Sequence, residues 1–159
     1  MSSTATTHDP RPFLPHEGDA VLLDAVWAES ATRTQATATV RGGTPFRDDT
    51  GDGLAGWPAW LALELLAQVV AASAGLREYR PGVRPRLGLL LGARQFSPRI
   101  AMLPEGARLE LTVDESSRDE DGMGVYDGQV AIAGEVVASA TLSVYLPADV
   151  DAYLQGLEP

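Results

Sequence analysis

Two polar residues interrupt an otherwise apolar run, Glu64 and Gln68 within WPAWLALELLAQVVAASAGL, Trp57 to Leu76. They lie one helical turn apart, so in a helix they share a face with Ala71. A carboxylate taken out of water is costly unless it shifts its pKa or finds a partner. Glu64 is therefore an acid–base group, one half of a structural hydrogen bond, or a solvated spot on a half-exposed helix, and Gln68 either orients it or is only a buried amide. The other side chain able to move a proton near neutral pH is histidine, of which the chain has two, His8 and His16. His8 falls in a stretch without apolar period and is expected to be inert. His16, within Leu14-Pro15-His16-Glu17-Gly18, sits in a turn-like setting. It is either a surface residue or a base that folding brings to Glu64. Asp24, inside the run Ala20 to Val26, is expected to be a structural carboxylate.

The composition narrows what such groups could serve. The 159 residues suffice for one domain with a sizeable core, and 45% apolar content argues for a folded chain. Cysteine is absent, which excludes disulfides, thiolate zinc sites and cysteine nucleophiles, and two histidines exclude a multi-histidine metal site. Asp48, Asp49 and Asp52, with Gly51 and Gly53, have neither the spacing nor the downstream glutamate of a calcium loop, so no metal is expected. The net charge of −10 disfavours nucleic acid as a partner. Neither a signal peptide nor a membrane span is expected, and the default location is the cytoplasm. All twelve basic residues are arginine, and seven lie between Arg77 and Arg108, opposed there only by Glu78 and Glu105. That stretch is either an ordinary solvated surface or a docking patch for an acidic or phosphorylated partner.

The elements that must position these groups follow from pattern. Residues 1–12 are expected to form a flexible tail and residues 13–159 a single domain. Ala20 to Val26 suits a strand or short helix, and RTQATATV, Arg33 to Val40, suits a strand. Gly42 to Pro58, rich in Gly, Asp and Pro, is expected to be a loop. A helix follows, with Pro58 near its first turn and Gly75 at its end. LGLLLGARQF, ARLELTV, MGVYDGQVAI and VVASATLSVYL then read as strands, with DESSRDEDG as a hairpin turn. The expected class is α+β, a curved antiparallel sheet of about six strands wrapped around one long apolar helix.

Several of these stretches resemble a known family. FLPHEGDAVLLDAV, Phe13 to Val26, resembles the LPH…LLDRV signature of hotdog-fold β-hydroxyacyl-[acyl carrier protein] dehydratases of the FabA/FabZ-like kind. WLALELLAQVVAASAGL resembles their helix signature Leu-Glu-x-Met-Ala-Gln. The chain also resembles the short dehydratase-like proteins of aryl polyene pigment clusters, through Pro45, Phe46, Asp48, Gly56, Pro58, Ala59, Trp60, Glu64, Ala67 and Gln68. Leu89 to Arg94 (LLLGAR) and Gly122 to Asp127 (GMGVYD) are similar to two further strands of that group. The family's usual Gly-His-Phe-Pro motif is missing: its histidine would fall near Thr50, and no histidine lies beyond His16.

What the resemblance implies is the hotdog fold, with a sheet edge that pairs with a second hotdog chain as homodimer or heterodimer. It implies elimination of water from a 3-hydroxyacyl thioester carried by an acyl carrier protein, in fatty acid, polyketide or polyene synthesis. No separate cofactor is implied, because phosphopantetheine arrives on the carrier. Glu64 and His16 are then the catalytic candidates, and Gln68, Trp60, Gly56, Trp57 and Phe46 the substrate-binding ones. Backbone N–H groups at the start of the helix would stabilise an enolate oxygen. Arg77, Arg80, Arg84, Arg86 and Arg94 would dock the acidic carrier. Two other readings stay open: a silent or assisting subunit of a hotdog heterodimer, and a hotdog thioesterase in which Glu64 activates water.

Overall fold

A computed structural model describes residues 5–43, 46–49 and 55–156, with only the backbone at 48 and 49. Nine strands and two helices run in the order β1 (Ala25–Ala28), β2 (Arg33–Thr39), β3 (Asp48–Asp49), β4 (Ala55–Pro58), α1 (Leu61–Glu78), β5 (Leu89–Pro98), β6 (Met102–Pro104), β7 (Arg108–Arg118), β8 (Met123–Ile132), β9 (Glu135–Tyr145) and α2 (Val150–Gln155). Six strands form one sheet in the order β1-β2-β7-β8-β9-β5, and every neighbouring pair is antiparallel. A small second sheet has the order β3-β4-β6. The expected α+β layout is the one observed.

Alternation sets the inner face of the large sheet. Leu109, Leu111 and Val113 of β7 are buried, as are Val130 of β8 and Ala138, Ala140 and Leu142 of β9. Against them lies α1, whose Leu61, Ala62, Leu65, Leu66, Val69, Val70 and Ala72 are buried. Nine of the 18 residues of α1 are buried and others border the cavity, which is why the sequence is apolar on nearly every side. Gly128 of β8 leaves room for this packing, since a methyl group there would collide with the Leu66 side chain.

Four local expectations differ from the structure. The stretch expected as a loop ends in β4, which pairs with β6 through Gly56, Trp57 and Pro58. Gly56 permits that pairing, because a Cβ would strike the Leu103 carbonyl. Gly75 does not end the helix, which continues to Glu78; its missing side chain lets the Phe13 backbone lie against α1. The acidic hairpin is shorter than expected, with β7 running to Arg118. The turn is held by Asp119, whose carboxylate accepts the N–H groups of Asp121 and Met123, while Gly122 adopts φ +98°. Val21, Leu22 and Leu23 are core residues, but β1 begins only at Ala25.

The segment assigned to a tail has partners from His8 onward. His8 bridges Val26, Pro10 is buried, and the Phe13 ring packs edge-on against His8 and Tyr79, with centroids 5.4 and 5.2 Å away. An apolar anchor two residues past a proline-rich stretch is too short a signal for periodicity to find.

Candidate active site

Gln68 is the most completely satisfied polar side chain in the core. It has no solvent exposure, and its Oε1 accepts the Leu22 N–H at 3.0 Å. Its Nε2 donates to the Ala20 carbonyl at 2.7 Å and to Glu64 Oε1 at 3.1 Å. The amide orientation is fixed by this pattern, because only oxygen can accept from Leu22 and only nitrogen can donate to Ala20. The segment around residues 18–22 therefore meets α1 at Gln68 rather than through strand pairing. Both alternatives for Gln68 hold together: it is a buried structural amide, and it orients Glu64.

His16 arrives on the same segment. Buried Leu14 and Phe13 pin the chain ahead of it, and its Nε2 lies 3.3 Å from Glu64 Oε1. Folding within a single chain thus joins the two residues. The Glu64 side chain is 39% exposed and that of His16 27%, so both border open space. Two N–H groups converge on one carboxylate oxygen, and among the described residues the second oxygen accepts no hydrogen bond. Burial pushes the Glu64 carboxyl up, but the hydrogen bonds from His16 and Gln68 outweigh it and hold the group below its ordinary value. His16 Nδ1 is buried and has no hydrogen-bond partner among the described residues.

The open space is a cavity of about 880 Å³ that begins at Pro15, His16 and Glu64 and follows α1. Its helix wall is Ala67, Val70, Ala71 and Ala74, where small side chains leave room along the Glu64 face. The facing wall includes Leu87, Leu89, Leu90, Val144 and Leu146. At the far end stand Arg77, Glu78, Arg86, Arg118 and Tyr126. Thirteen residues of helix separate Glu64 from Arg77, so the cavity is about 20 Å long. There Arg77 donates to Ser73 at 3.1 Å and to Glu115 at 3.2 Å, and burial pushes the Tyr126 phenol up. Tyr126, Arg118, Leu87 and Leu89 were not assigned to the site from the sequence, although Leu89 and Tyr126 lie in strands that carry the family resemblance. The alanines recurring on the Glu64 face were the available signal.

Gln68, a substrate-binding candidate, has no exposure and does not line the cavity, and the remaining candidates are also placed elsewhere. Trp57 is fully buried in the core beside β6, and Gly56 supports strand pairing. Trp60 caps the start of α1, is 57% exposed and does not line the cavity, while Phe46 packs on the core. The helix start is also less open than expected, since the N–H groups of Ala62 and Leu63 already donate to the carbonyls of Ala59 and Trp60 at 3.1 Å. Asp24 is exposed and accepts the Thr39 hydroxyl at 2.7 Å, a structural contact on the surface. Pro45, Thr50, where the resemblance expects a histidine, and Asp52 lie outside the described residues, as do the side chains of Asp48 and Asp49.

Of the five arginines expected to dock a partner, three are paired internally. Arg77 pairs with Glu115, Arg86 with Glu78 and Arg84 with Glu17. Arg80 and Arg94 are exposed and make no ion pair among the described residues. No helix among the described residues is long and apolar enough to cross a membrane.

A curved antiparallel sheet around one long helix, with an acid and an imidazole at the head of a cavity between them, is the hotdog arrangement. The chain belongs to the ApeP-like dehydratase family, described as ApeP dehydratase, whose sequence model matches residues 8–155. It is similar to the dehydratase heterocomplex ApeI:P from Xenorhabdus doucetiae, with 25% identity over 95% of this chain and 99% of that one and a TM-score of 0.81. A phenylacetic acid degradation-related protein from Ralstonia eutropha shares the fold at 15% identity and a TM-score of 0.55, over 76% of this chain and 83% of that one. So does the TT0310 protein from Thermus thermophilus, at 18% identity and a TM-score of 0.52, over 80% and 94%. A search of curated proteins returns no match.

Proposed function

We propose that this dehydratase removes water from a 3-hydroxyacyl thioester held on the phosphopantetheine arm of an acyl carrier protein. The observation that carries this reading is the His16–Glu64 contact at the head of a long apolar-walled cavity. Dehydration needs a group to take the proton beside the thioester carbonyl and a proton for the departing hydroxyl. A carboxylate with one free oxygen, joined to an imidazole, supplies both kinds of group at one place. The alanine-lined wall of α1 fits an extended acyl chain better than a compact polar substrate. Exposed Arg80 and Arg94 are the cations still available to an acidic carrier, with Arg84 close by, while Arg77 and Arg86 are engaged at the cavity's far end.

The test is mass spectrometry of a 3-hydroxyacyl carrier protein incubated with the purified chain. Loss of one water in the acyl group, absent with Glu64→Gln, supports the reading. Release of a free acid points to thioester hydrolysis instead, and an unchanged acyl group in a mixture that still binds carrier points to an assisting subunit.

That second reading has its own observation. Edge strand β5 is exposed along most of its length and presents Leu90 and Leu91, 43% and 51% exposed, beside the cavity. Pairing of this edge with another hotdog chain, a copy of itself or a different dehydratase as in the ApeI:P assembly, closes that side.

A further inference from the structure

An acid–imidazole pair is ordinarily read with the imidazole as base, yet the wiring of this pair does not suit that division. The nitrogen of His16 that faces Glu64 is 3.3 Å from the carboxylate oxygen, and its other nitrogen is buried with no partner among the described residues. If the proton sat on Nδ1, two lone pairs would face each other across that gap, and a buried N–H would be left without an acceptor. With the proton on Nε2, a hydrogen bond to a charged acceptor forms instead. An imidazolium would again leave the Nδ1–H without an acceptor. Neither nitrogen of His16 then offers a free lone pair to a molecule in the cavity. Glu64 does: Oε1 takes both N–H groups, from His16 and from Gln68, and Oε2 accepts none.

We infer that Glu64 alone carries the proton in the reaction, and that His16 is a neutral N–H donor that positions it. This rests on the dehydration proposed above and assigns its proton transfers. Glu64 Oε2 takes the proton from the carbon beside the thioester carbonyl, and the electron pair spreads onto the carbonyl oxygen. As that pair returns to form the double bond, the carbon–oxygen bond at C3 breaks. The same proton passes from Oε2 to the departing hydroxyl, giving water and the unsaturated thioester and restoring the carboxylate. No further acid, base or oxidant enters. Gln68 stands with His16 as a positioning residue, so the carboxylate is held by two donors that the core itself anchors.

Two measurements test the assignment. In the first, turnover of a 3-hydroxyacyl pantetheine thioester is compared across the wild type, Glu64→Gln, His16→Gln and His16→Ala. The Gln side chain at position 16 keeps an N–H donor and removes any base. Loss of a proton-transferring group costs about 10²–10⁴-fold, and Glu64→Gln is expected to show that loss. His16→Gln is expected to stay within about tenfold of wild type and to outperform His16→Ala, the loss of one donor to a charged acceptor being the smaller effect. A fall with His16→Gln as deep as with Glu64→Gln overturns the assignment while leaving the dehydration intact. No turnover by wild type overturns the function on which it rests.

The second measurement needs no activity. With only two histidines in the chain, ¹⁵N NMR of the wild type beside a His8→Gln variant isolates the His16 ring. A protonated Nε2 and an unprotonated Nδ1 at pH 7 are expected, and a proton on Nδ1 overturns the assignment.

Discussion

At the scale of single residues, Gln68 and Glu64 are where fold and chemistry share atoms. Gln68→Leu keeps the volume but leaves the buried Leu22 N–H unsatisfied and removes the partner of the part-buried Ala20 carbonyl. Stranding buried polar groups costs about 1–3 kcal/mol each, so urea unfolding is expected to show destabilisation of that order. The Glu64 contacts predict a pH dependence whose sign follows from the direction of the shift. Its folded carboxyl lies below 4.5, so its stabilising contribution is complete above the unfolded value and is lost as pH falls through the folded value. Glu78, held low by Arg86, behaves likewise. Unfolding midpoints of wild type and Glu64→Gln are therefore expected to differ at neutral pH and to converge as pH falls below the ordinary carboxylate range and through the lowered folded value. Curves that stay parallel throughout would show that the carboxylate gains nothing from its partners. Glu64 and Gln68 were legible in the sequence because a polar pair one turn apart stands out in an apolar run. Their connection to residues 20 and 22 was not, because it spans more than forty residues through backbone atoms, which carry no sequence signature.

At the scale of elements, α1 and the sheet that wraps it were readable from period, and the exceptions are positions where a glycine serves a neighbour rather than its own element. Gly75 reads as a helix stop, yet it stands inside α1 and admits the Phe13 backbone. That contact fixes the start of the segment that delivers His16. Gly75→Ala improves intrinsic helix propensity by about 1 kcal/mol, and on propensity alone it would stabilise the protein. The collision with Phe13 is expected to win, since overpacking a close backbone approach costs about 1–3 kcal/mol. A lowered thermal midpoint is the expected outcome, with weakened protection of the Leu22 amide in hydrogen exchange. A raised midpoint would mean that the 11–16 segment yields easily and that His16 is not held by it. The substrate candidates Trp57 and Gly56 failed for a related reason. Their aromatic and glycine character suits a binding loop, but strand pairing with β6 claims both, and a three-residue strand such as Met102–Pro104 gives too little pattern to forecast that partner.

At the scale of the whole molecule, the cavity is walled by α1 and the inner sheet but borders an edge strand, β5, which pairs with β9 on one side only. The β5 edge carries Leu90 and Leu91 on exposed backbone and has register shifts at Leu90/Gly92 and Arg94/Ser97, with Gln95 at φ 53°. Bulges are one way an edge strand resists indiscriminate pairing. The longest run between the shifts is Gly92 to Arg94, next to the Leu89 and Leu90 that border the cavity. If a second hotdog chain covers it, Leu91→Lys is expected to shift sedimentation toward a monomer while circular dichroism and the thermal transition of the separate chain persist. An unpaired lysine buried in an apolar interface is strongly unfavourable, whereas on a free edge it is harmless. The same variant separates two accounts of the cavity. If the partner forms its outer wall, turnover of long acyl thioesters falls with the dimer and recovers at high protein concentration. If α1 and the sheet suffice, turnover is independent of concentration, and the exposed leucines serve association alone.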